Sequence, residues 1–299
     1  MPLQETRSNI LTAGIKSWKV KDDGKTEYFT LPFLREGEAT VKTLFASTSK
    51  GQQVPFALQL EYKAKMMATG SLTNIIELLD QLGSLNLDHI VELSNGQTHS
   101  SALLGDKFFG FKWKLVSDAD RDKERYIELT ADRVIRINEF DTLRGSAPSS
   151  VTDATSALVG LRSLSRADIV LAGINKVELR ESSAGSFTDD FGKIRNGKFE
   201  AELLTTKDNL GRSIGYAVEL GLEFEHMQTA ETELALMDGI AGQENDWKIT
   251  FADGPIATLD NQLGIEFNYT NNKDMDDIAF TQVMGKGRVL LTEWDAIWT

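Results

Sequence analysis

Closely spaced carboxylates are the strongest candidates for chemistry in this chain. In DADRDKERYIEL (118–129), Asp118, Asp120 and Asp122 occupy positions 1, 3 and 5 of a calcium-binding loop. Such a loop needs glycine at position 6 for its sharp turn and a glutamate at position 12 to complete the coordination. The sequence has Lys123 and Leu129 there. A solvated loop between two strands is therefore the favoured interpretation, and no metal site is predicted.

Histidine and cysteine chemistry is equally sparse. None of the three histidines, His89, His99 and His226, has a carboxylate or another histidine at metal-ligand spacing. The chain has no cysteine, which excludes disulfides, thiolate metal sites and cysteine nucleophiles. The G-x-x-x-x-G-K-[ST] and H-E-x-x-H patterns are also missing, and GRSIG (211–215), which matches G-x-S-x-G, lies in a predicted hairpin and not at the strand-to-helix turn of a nucleophile elbow. We therefore predict structural histidines, no cofactor and no enzymatic activity.

The charge of the chain is acidic and unevenly distributed. The formal net charge at pH 7 is −13, from 32 basic and 45 acidic residues. Residues 14–143 carry 17 basic and 19 acidic side chains, a net charge of −2, whereas residues 173–297 carry 11 and 23, a net charge of −12. A protein that holds nucleic acid by its phosphates needs a basic stripe. Tight DNA binding is therefore disfavoured, but passage of DNA along a repelling wall is not.

The elements that would position any site occur twice. REGEATVKTLFASTSKGQQVPFALQL begins at Arg35, and RNGKFEAELLTTKDNLGRSIGYAVEL begins 160 positions later, at Arg195. Both stretches are typical of a β-hairpin, with two alternating strands around a polar tip that contains glycine. In the second hairpin Leu220, Leu222 and Phe224 alternate with glycine or polar residues, the period of a half-buried strand.

Each hairpin leads directly into a predicted helix. Residues 230–241 follow a Thr229 N-cap, and residues 71–82 form the matching helix. The apolar stripes of these helices are Ala230, Leu234, Met237 and Ala241 in the second, and Leu72, Ile75, Ile76, Leu79 and Leu82 in the first. Two further strand-like pairs, 89–96 with 247–254 and 109–115 with 263–269, keep the same order. We interpret the chain as a tandem duplication of one module.

The predicted fold class is α+β and mostly antiparallel β. Each module is a β-sandwich or half-barrel with one packed α-helix. The predicted boundaries are an N-terminal arm 1–13, module 1 at 14–143, a connector 144–172 and module 2 at 173–299. No apolar run approaches the ~20 residues of a membrane-spanning helix, and the N-terminal residues lack a signal-peptide layout. We expect no membrane association.

The second strand-to-helix corner resembles a known family. AVELGLEFEHMQTAETELALMDGIAG (217–242) is similar to the strand, threonine, acidic first turn and leucine-rich helix of major tail tube proteins of long-tailed bacteriophages. The resemblance covers the hairpin, helix and following strands of both copies. The first copy departs from it at Gly70 and Asn74, which stand in place of the acidic first turn. Some members of this family carry two fused modules and form trimers that imitate hexamers.

The resemblance implies a tail-tube-like module and a non-enzymatic virion protein. Trimeric, pseudo-hexameric rings would stack into the tube through which DNA is ejected. The inner wall would be formed by polar strand faces at Glu219, Glu223, Glu225, Gln59, Glu61, Lys63 and Lys65. Hairpin tips 46–53 and 206–213 would contact the next ring at Ser49, Lys50, Gly51, Asn209, Leu210 and Gly211. A negative lumen would repel phosphates, so that DNA is not retained. A solvated outer face is the alternative for the strand residues.

The implied partners are further copies of the chain, tape-measure, tail terminator and baseplate proteins, and DNA in passage. The expected location is the virion tail, with synthesis and assembly in the host cytoplasm. A duplicated β-barrel capsid protein, or another tail component built on this module (a baseplate hub or distal ring), is the alternative. A DNA sliding clamp is disfavoured, because neither 71–82 nor 230–241 contains a lysine or arginine to contact DNA.

Overall fold

The structure is a computed structural model of the 299-residue chain. It describes residues 14–22, 28–68, 78–80, 82–83, 87–104, 109–118, 125–144, 173–181, 185–188, 191, 194–209, 211–227, 245–252, 254–260, 262–269 and 280–298. The predicted N-terminal arm lies outside these ranges, and Arg144 is the one residue of the predicted connector inside them.

Strands dominate the described residues. They are β1 (Ile15–Asp22), β2 (Phe29–Thr30), β3 (Leu34–Ser47), β4 (Gln53–Met67), β5 (Leu87–Leu93), β6 (Thr98–Ser100), β7 (Gly110–Asp118), β8 (Tyr126–Arg136), β9 (Ile174–Glu181), β10 (Ile194–Lys207), β11 (Ser213–Met227), β12 (Asn245–Phe251), β13 (Ile256–Leu259), β14 (Leu263–Tyr269) and β15 (Phe280–Leu290). Short helices follow β6, β8 and β15: the 3-10 helices Ser101–Leu104, Ile137–Glu139, Leu291–Glu293 and Asp295–Ile297, and the α-helix Phe140–Leu143.

These strands form three antiparallel sheets. The largest has eight strands in the order β14-β15-β11-β10-β7-β8-β4-β3. The two smaller sheets have the orders β2-β1-β5-β6 and β13-β12-β9. The strand pairs within all three sheets are antiparallel. The prediction of a mostly antiparallel β fold is confirmed.

The large sheet contains one strand order twice. From one edge it runs β3, β4, β8, β7, which we call repeat 1, and continues as β10, β11, β15, β14, which we call repeat 2. In repeat 1, β4 of the hairpin β3–β4 pairs with β8, and β8 pairs with β7. In repeat 2, β11 of the hairpin β10–β11 pairs with β15, and β15 pairs with β14. The two repeats meet where β7 pairs with β10, which we call the internal junction.

The two hairpins agree in backbone detail at the 160-residue offset. Glu36 and Asn196 both have positive φ, at 51° and 53°. The glycine that follows each of them lies against another strand. A Cβ atom on Gly37 would be 2.6 Å from the Cβ of Ile15, and one on Gly197 would be 2.8 Å from the Cβ of Ile174. Only glycine fits this close approach, and the agreement supports the interpretation of a tandem repeat.

The last two strands of each repeat correspond at an offset of 154 residues. Gly110 pairs with Asp132 between β7 and β8, and Gly264 pairs with Lys286 between β14 and β15. With the hairpin offset, this correspondence assigns every strand of the large sheet in repeat 1 to one in repeat 2.

The core lies between the large sheet and the two small sheets. In repeat 1, Trp18 of β1 contacts Tyr62 and Phe111, with ring centroids 6.4 and 5.9 Å apart. In repeat 2, Phe251 of β12 contacts Phe199 at 5.3 Å. This arrangement is a two-layer, sandwich-like packing on one face of the large sheet. The opposite face, which we call the polar face, carries mainly charged and polar side chains that are half-buried or exposed.

The first predicted helix is partly described and the second is not. Residues 78–80 and 82–83 are helical, with Leu79 and Leu82 buried as the periodicity predicts. The predicted helix 230–241 lies outside the described residues. A Cβ atom on Gly83 would lie 3.2 Å from Trp113 Nε1 of β7 and 3.5 Å from Leu203 Cδ1 of β10. This helical segment therefore contacts both sides of the internal junction.

Two buried histidines of the sheet β2-β1-β5-β6 take part in hydrogen bonds. Trp18 Nε1 donates to His89 Nδ1 at 2.9 Å, and the Tyr62 hydroxyl lies 2.7 Å from His99 Nδ1. Burial lowers the pKa of His89 to about 3. Burial, together with the positive charge of Arg144, lowers the pKa of His99 to about 4. An unfolded histidine has a pKa of about 6.5, so between these values the unfolded chain binds protons that the folded chain does not.

We therefore expect the free energy of unfolding to fall as the pH decreases from about 7.5 to about 5.5, by about 1 kcal/mol for each histidine. Carboxylates stay largely ionised in this window and contribute little. Urea unfolding followed by tryptophan fluorescence at several pH values measures the effect. In His89→Gln, which keeps an acceptor for Trp18, the pH dependence should be about halved. An unchanged dependence would show that His89 does not contribute.

Candidate functional site

The polar face contains all seven strand residues that the family resemblance assigns to an inner wall. Lys63 and Glu219 are exposed there, and the other five are half-buried. Their sequence neighbours Leu60 and Leu220 are fully buried on the opposite face. The seven residues are Gln59, Glu61, Lys63 and Lys65 on β4, and Glu219, Glu223 and Glu225 on β11.

Opposite charges are paired across this face. Exposed ion pairs of this kind add little to stability, but they reduce the local potential. Gln282 also donates to Glu223 at 2.6 Å. The ion pairs are Lys63–Glu61 at 2.7 Å, Lys65–Glu36 at 2.7 Å, Lys114–Glu200 at 3.2 Å, Lys198–Glu200 at 3.1 Å and Arg195–Glu225 at 2.6 Å.

The expectation of a simply negative wall needs refinement. Lys286 and Arg288 of β15 pair in register with β11 residues of the polar face and so lie on it. Repeat 1 adds Lys42 of β3 and Lys112 of β7. A polyanion on this surface would therefore meet both signs of charge, with several of the lysines and arginines already held by carboxylates.

A buried carboxylate joins the two repeats beside the internal junction. Asp132 of β8 is 3% exposed and accepts hydrogen bonds from the backbone N–H of Ser213 at 2.9 Å and from its hydroxyl at 2.8 Å. Lys207 forms an ion pair with the same carboxylate. Both donors belong to the repeat 2 hairpin, so this contact fixes the hairpin against repeat 1. A Cβ atom on Gly110 would lie 2.0 Å from Ser213 N, which shows how closely the backbones approach.

The hairpin tips differ in their surroundings. Gly51 and Gly211 have φ values of 77° and 73°, the left-handed conformation that glycine favours in turns. A Cβ atom on Gly51 would meet nothing within 4 Å, whereas one on Gly211 would lie 2.6 Å from Val134. Tip 1 (46–53) therefore projects freely, and tip 2 (206–213) lies against β8. The predicted tip residues Ser49, Lys50 and Asn209 are exposed, and Leu210 lies outside the described residues.

Large apolar side chains are exposed near both tips. Val54 and Phe56 in β4 are 46% and 55% exposed. The corresponding residues of β11, Ile214 and Tyr216, are 47% and 49% exposed. Single exposed apolar residues are common on protein surfaces. The same two positions are exposed in both repeats, which makes them candidates for a contact surface.

A groove of about 1060 Å³ lies between the two hairpins. Leu44 and Phe56 line it from hairpin 1 (β3 and β4), and Asn209 lines it from tip 2. Val134 at the end of β8 and Ile137 complete its apolar lining. The exposed Phe56 ring thus faces a recess that is open at the hairpin end of the sheet.

Groups that could bind a metal ion do not assemble in the described part of the chain. No cluster of three or more His, Cys, Asp or Glu side chains there could hold a metal ion. Asp120 and Asp122 of the carboxylate-rich loop lie outside the described residues. His89, His99 and His226 are all buried. Among the described helices, none is long and apolar enough to cross a membrane.

Comparison with known proteins does not assign a family. No protein-family model matches the sequence, and no curated protein matches it. Function must therefore be inferred from the sheet, its edges and its hairpins.

Sequence reasoning missed the internal junction and its buried carboxylate. Asp132 lies on the polar face of an alternating strand, where Glu128 and Thr130 are only half-buried, and nothing local marks it as buried. It is buried because Ser213, distant in sequence, reaches it through the repeat 2 hairpin. Gly110 was the available signal, since glycine within a strand often marks a close approach of another backbone.

We expect Asp132→Ala to lower the free energy of unfolding by about 2 to 3 kcal/mol, because the buried N–H of Ser213 loses its acceptor. The matched control is Lys286→Ala at the corresponding, exposed position of repeat 2. It should change stability by no more than about 0.5 kcal/mol. Urea denaturation of both variants measures the difference. Equal effects would contradict a structural role for the Asp132 contact.

Proposed function

We propose that this chain is a non-enzymatic structural subunit of a bacteriophage tail tube, in which three chains close into a pseudo-hexameric ring. The observation that carries the proposal is the strand order of the large sheet, which leaves β3 and β14 as its edges. β3 corresponds to β10 and β14 to β7, the two strands of the internal junction. The same contact can therefore join the β14 edge of one chain to the β3 edge of the next. A head-to-tail contact of this kind generates a ring when its rotation closes.

The number of strands supports three chains. Three sheets of eight strands give 24 strands, and a spacing of about 4.8 Å gives a backbone diameter of about 37 Å before strand tilt widens it. Two chains would give about 24 Å, similar to the 16-stranded barrels that leave only a water-filled channel. A DNA duplex needs the wider barrel.

The layered packing indicates which face would turn inward. The small sheets and the helical segment cover one face of the large sheet, and the outside of a closed barrel offers more circumference for such a layer. The polar face would then line the channel. Ion pairs with carboxylates occupy several of its lysines and arginines, which lowers the attraction of this face for phosphates, since binding to DNA depends on displacing counterions with lysine and arginine. DNA would pass without being retained.

The hairpins supply the contact between rings. The exposed residues near the two tips, Val54, Phe56, Ile214 and Tyr216, lie at the same end of the sheet in both repeats. Apolar surface of this kind is buried when one ring stacks on another. Tape-measure, tail terminator and baseplate proteins would bind at the ends or along the channel of such a stack.

The first experiment is negative-stain electron microscopy of the concentrated protein, with its solution mass. We expect stacked rings or tubes with a stain-filled channel, and a mass near three chains. Isolated rings that never stack would favour a baseplate hub or distal ring. Closed shells or flat lattices would favour a capsid protein. A monomer at all concentrations would contradict self-assembly.

The double variant Phe56→Ser, Tyr216→Ser tests the stacking surface. We expect it to keep the ring mass and to lose the tubes, because the exposed rings contribute to stacking and little to folding. Thr43→Ser, an exposed and conservative change on hairpin 1, is the control and should form tubes normally. Electron microscopy and sedimentation distinguish rings from tubes. Tubes of normal length from the double variant would remove the hairpins from the stacking contact.

A further inference from the structure

We infer that the β3 edge of one chain binds the β14 edge of another in the register of the internal junction, with Lys42 and Glu266 recognising each other across it. The inference rests on the proposed ring and specifies its contact. Both strands lie at the edges of the large sheet. A long exposed edge is prone to uncontrolled pairing, so the register and the choice of partner need a physical determinant.

The internal junction supplies the register. Glu202 of β10 is paired with Lys114 of β7, and the pairing continues to Lys198 and Asp118. Subtracting 160 from a residue number in β10 gives the corresponding residue of β3. Adding 154 to a residue number in β7 gives the corresponding residue of β14. The transferred register therefore pairs Lys42 with Asn268 and, one residue further, Val41 with Tyr269.

Charge inversion between the repeats supplies the choice of partner. At six corresponding positions of the polar face, an acidic residue in one repeat replaces a basic residue in the other. These positions are Glu38/Lys198, Lys42/Glu202, Lys63/Glu223, Lys65/Glu225, Lys112/Glu266 and Asp132/Lys286. At these positions the repeats carry opposite charges, so these residues favour contacts between unlike repeats and disfavour contacts between like repeats.

The ion pair across the internal junction is the template for the one between chains. Lys114 reaches Glu200, its diagonal neighbour on β10, at 3.2 Å. In the transferred register Lys42 lies opposite Asn268, so Glu266, two residues from Asn268, is its diagonal neighbour on β14. Both are exposed, and neither has an ion-pair partner within the described part of the chain. Among the described strands, none lies beyond β3 or β14, so another chain can supply the side chain beside each of them.

Incorrect pairings would bring like charges together. If β7 paired with the β3 strand of another copy in place of β10, Lys112 would lie diagonally across from Lys42. If β10 paired with the β14 strand of another copy in place of β7, Glu266 would lie diagonally across from Glu202. Like charges facing each other across strands are destabilising. The charge pattern therefore selects alternating repeats, both within the chain and between chains, and specificity comes from the rejected pairings as well as the favoured one.

A charge exchange tests the recognition. Lys42→Glu and Glu266→Lys should each raise the concentration needed for half-assembly about tenfold or more, and the double variant should recover most of the loss. Glu219→Lys, on the polar face but on the interior strand β11, is the matched control and should assemble as the wild type does. A double variant no better than the singles would overturn the role of this pair.

Disulfide trapping tests the register, and the cysteine-free chain provides a clean background. Val41→Cys with Tyr269→Cys keeps both recognising charges. After oxidation we expect a non-reducing gel to show a ladder that ends at three chains. Val41→Cys with Phe267→Cys displaces the second cysteine by two residues and should crosslink poorly, because disulfides need Cα atoms within about 7 Å.

The outcomes separate the register from the ring. Wild-type rings without crosslinking at positions 41 and 269 would overturn the register and leave the proposed function standing. Efficient crosslinking that gives a ladder beyond three chains would support the edge contact and overturn the closed trimer. Dimers from Val41→Cys alone would show that two β3 edges pair with each other, which would overturn the inference.

Discussion

The hydrogen-bonding requirement of strand edges is the constraint on which this structure depends. An antiparallel strand is satisfied only when it has a neighbour on both sides. β7 and β10 meet this requirement for each other and so fuse two four-stranded repeats into one sheet. The features that hold the repeats together cluster there: the buried Asp132, the helical segment at Gly83, and Trp294 against Trp113 with ring centroids 5.3 Å apart.

The two faces of the large sheet carry different kinds of side chain. One face buries its aromatic and aliphatic side chains under the small sheets, and burial there keeps His89 and His99 neutral. The other face keeps its charges close to water and pairs them with each other. In the proposed tube, this division would let the chains cohere while a polyanion passes. Apolar burial supplies cohesion, while a charge-paired surface offers phosphates little net attraction.

The two repeats share a backbone arrangement but carry opposite charges at several corresponding positions. The backbone repeats in register and in the positive φ of Glu36 and Asn196, so the same strand contact can form within and between chains. The side chains of the polar face have meanwhile diverged in sign, which distinguishes the correct neighbour from a copy of the same repeat. Because the two repeats belong to one chain, the contact between β7 and β10 forms within the chain, whereas the proposed contact between β3 and β14 would form between chains. It is the internal junction, and not the one at the free edges, that carries the buried Asp132.

Local pattern and tertiary pairing determined different parts of this protein. The sequence alone determined the hairpins, their glycine tips, and the buried and polar faces of β4 and β11, because period-2 alternation and turn residues act over a few neighbouring positions. It did not determine the strand order of the large sheet, the burial of Asp132 or the sign pattern across neighbouring strands. Those depend on which distant strands pair. Only folding decides that, because the backbone groups of β7 can be satisfied by any strand edge, and packing and charge select β10.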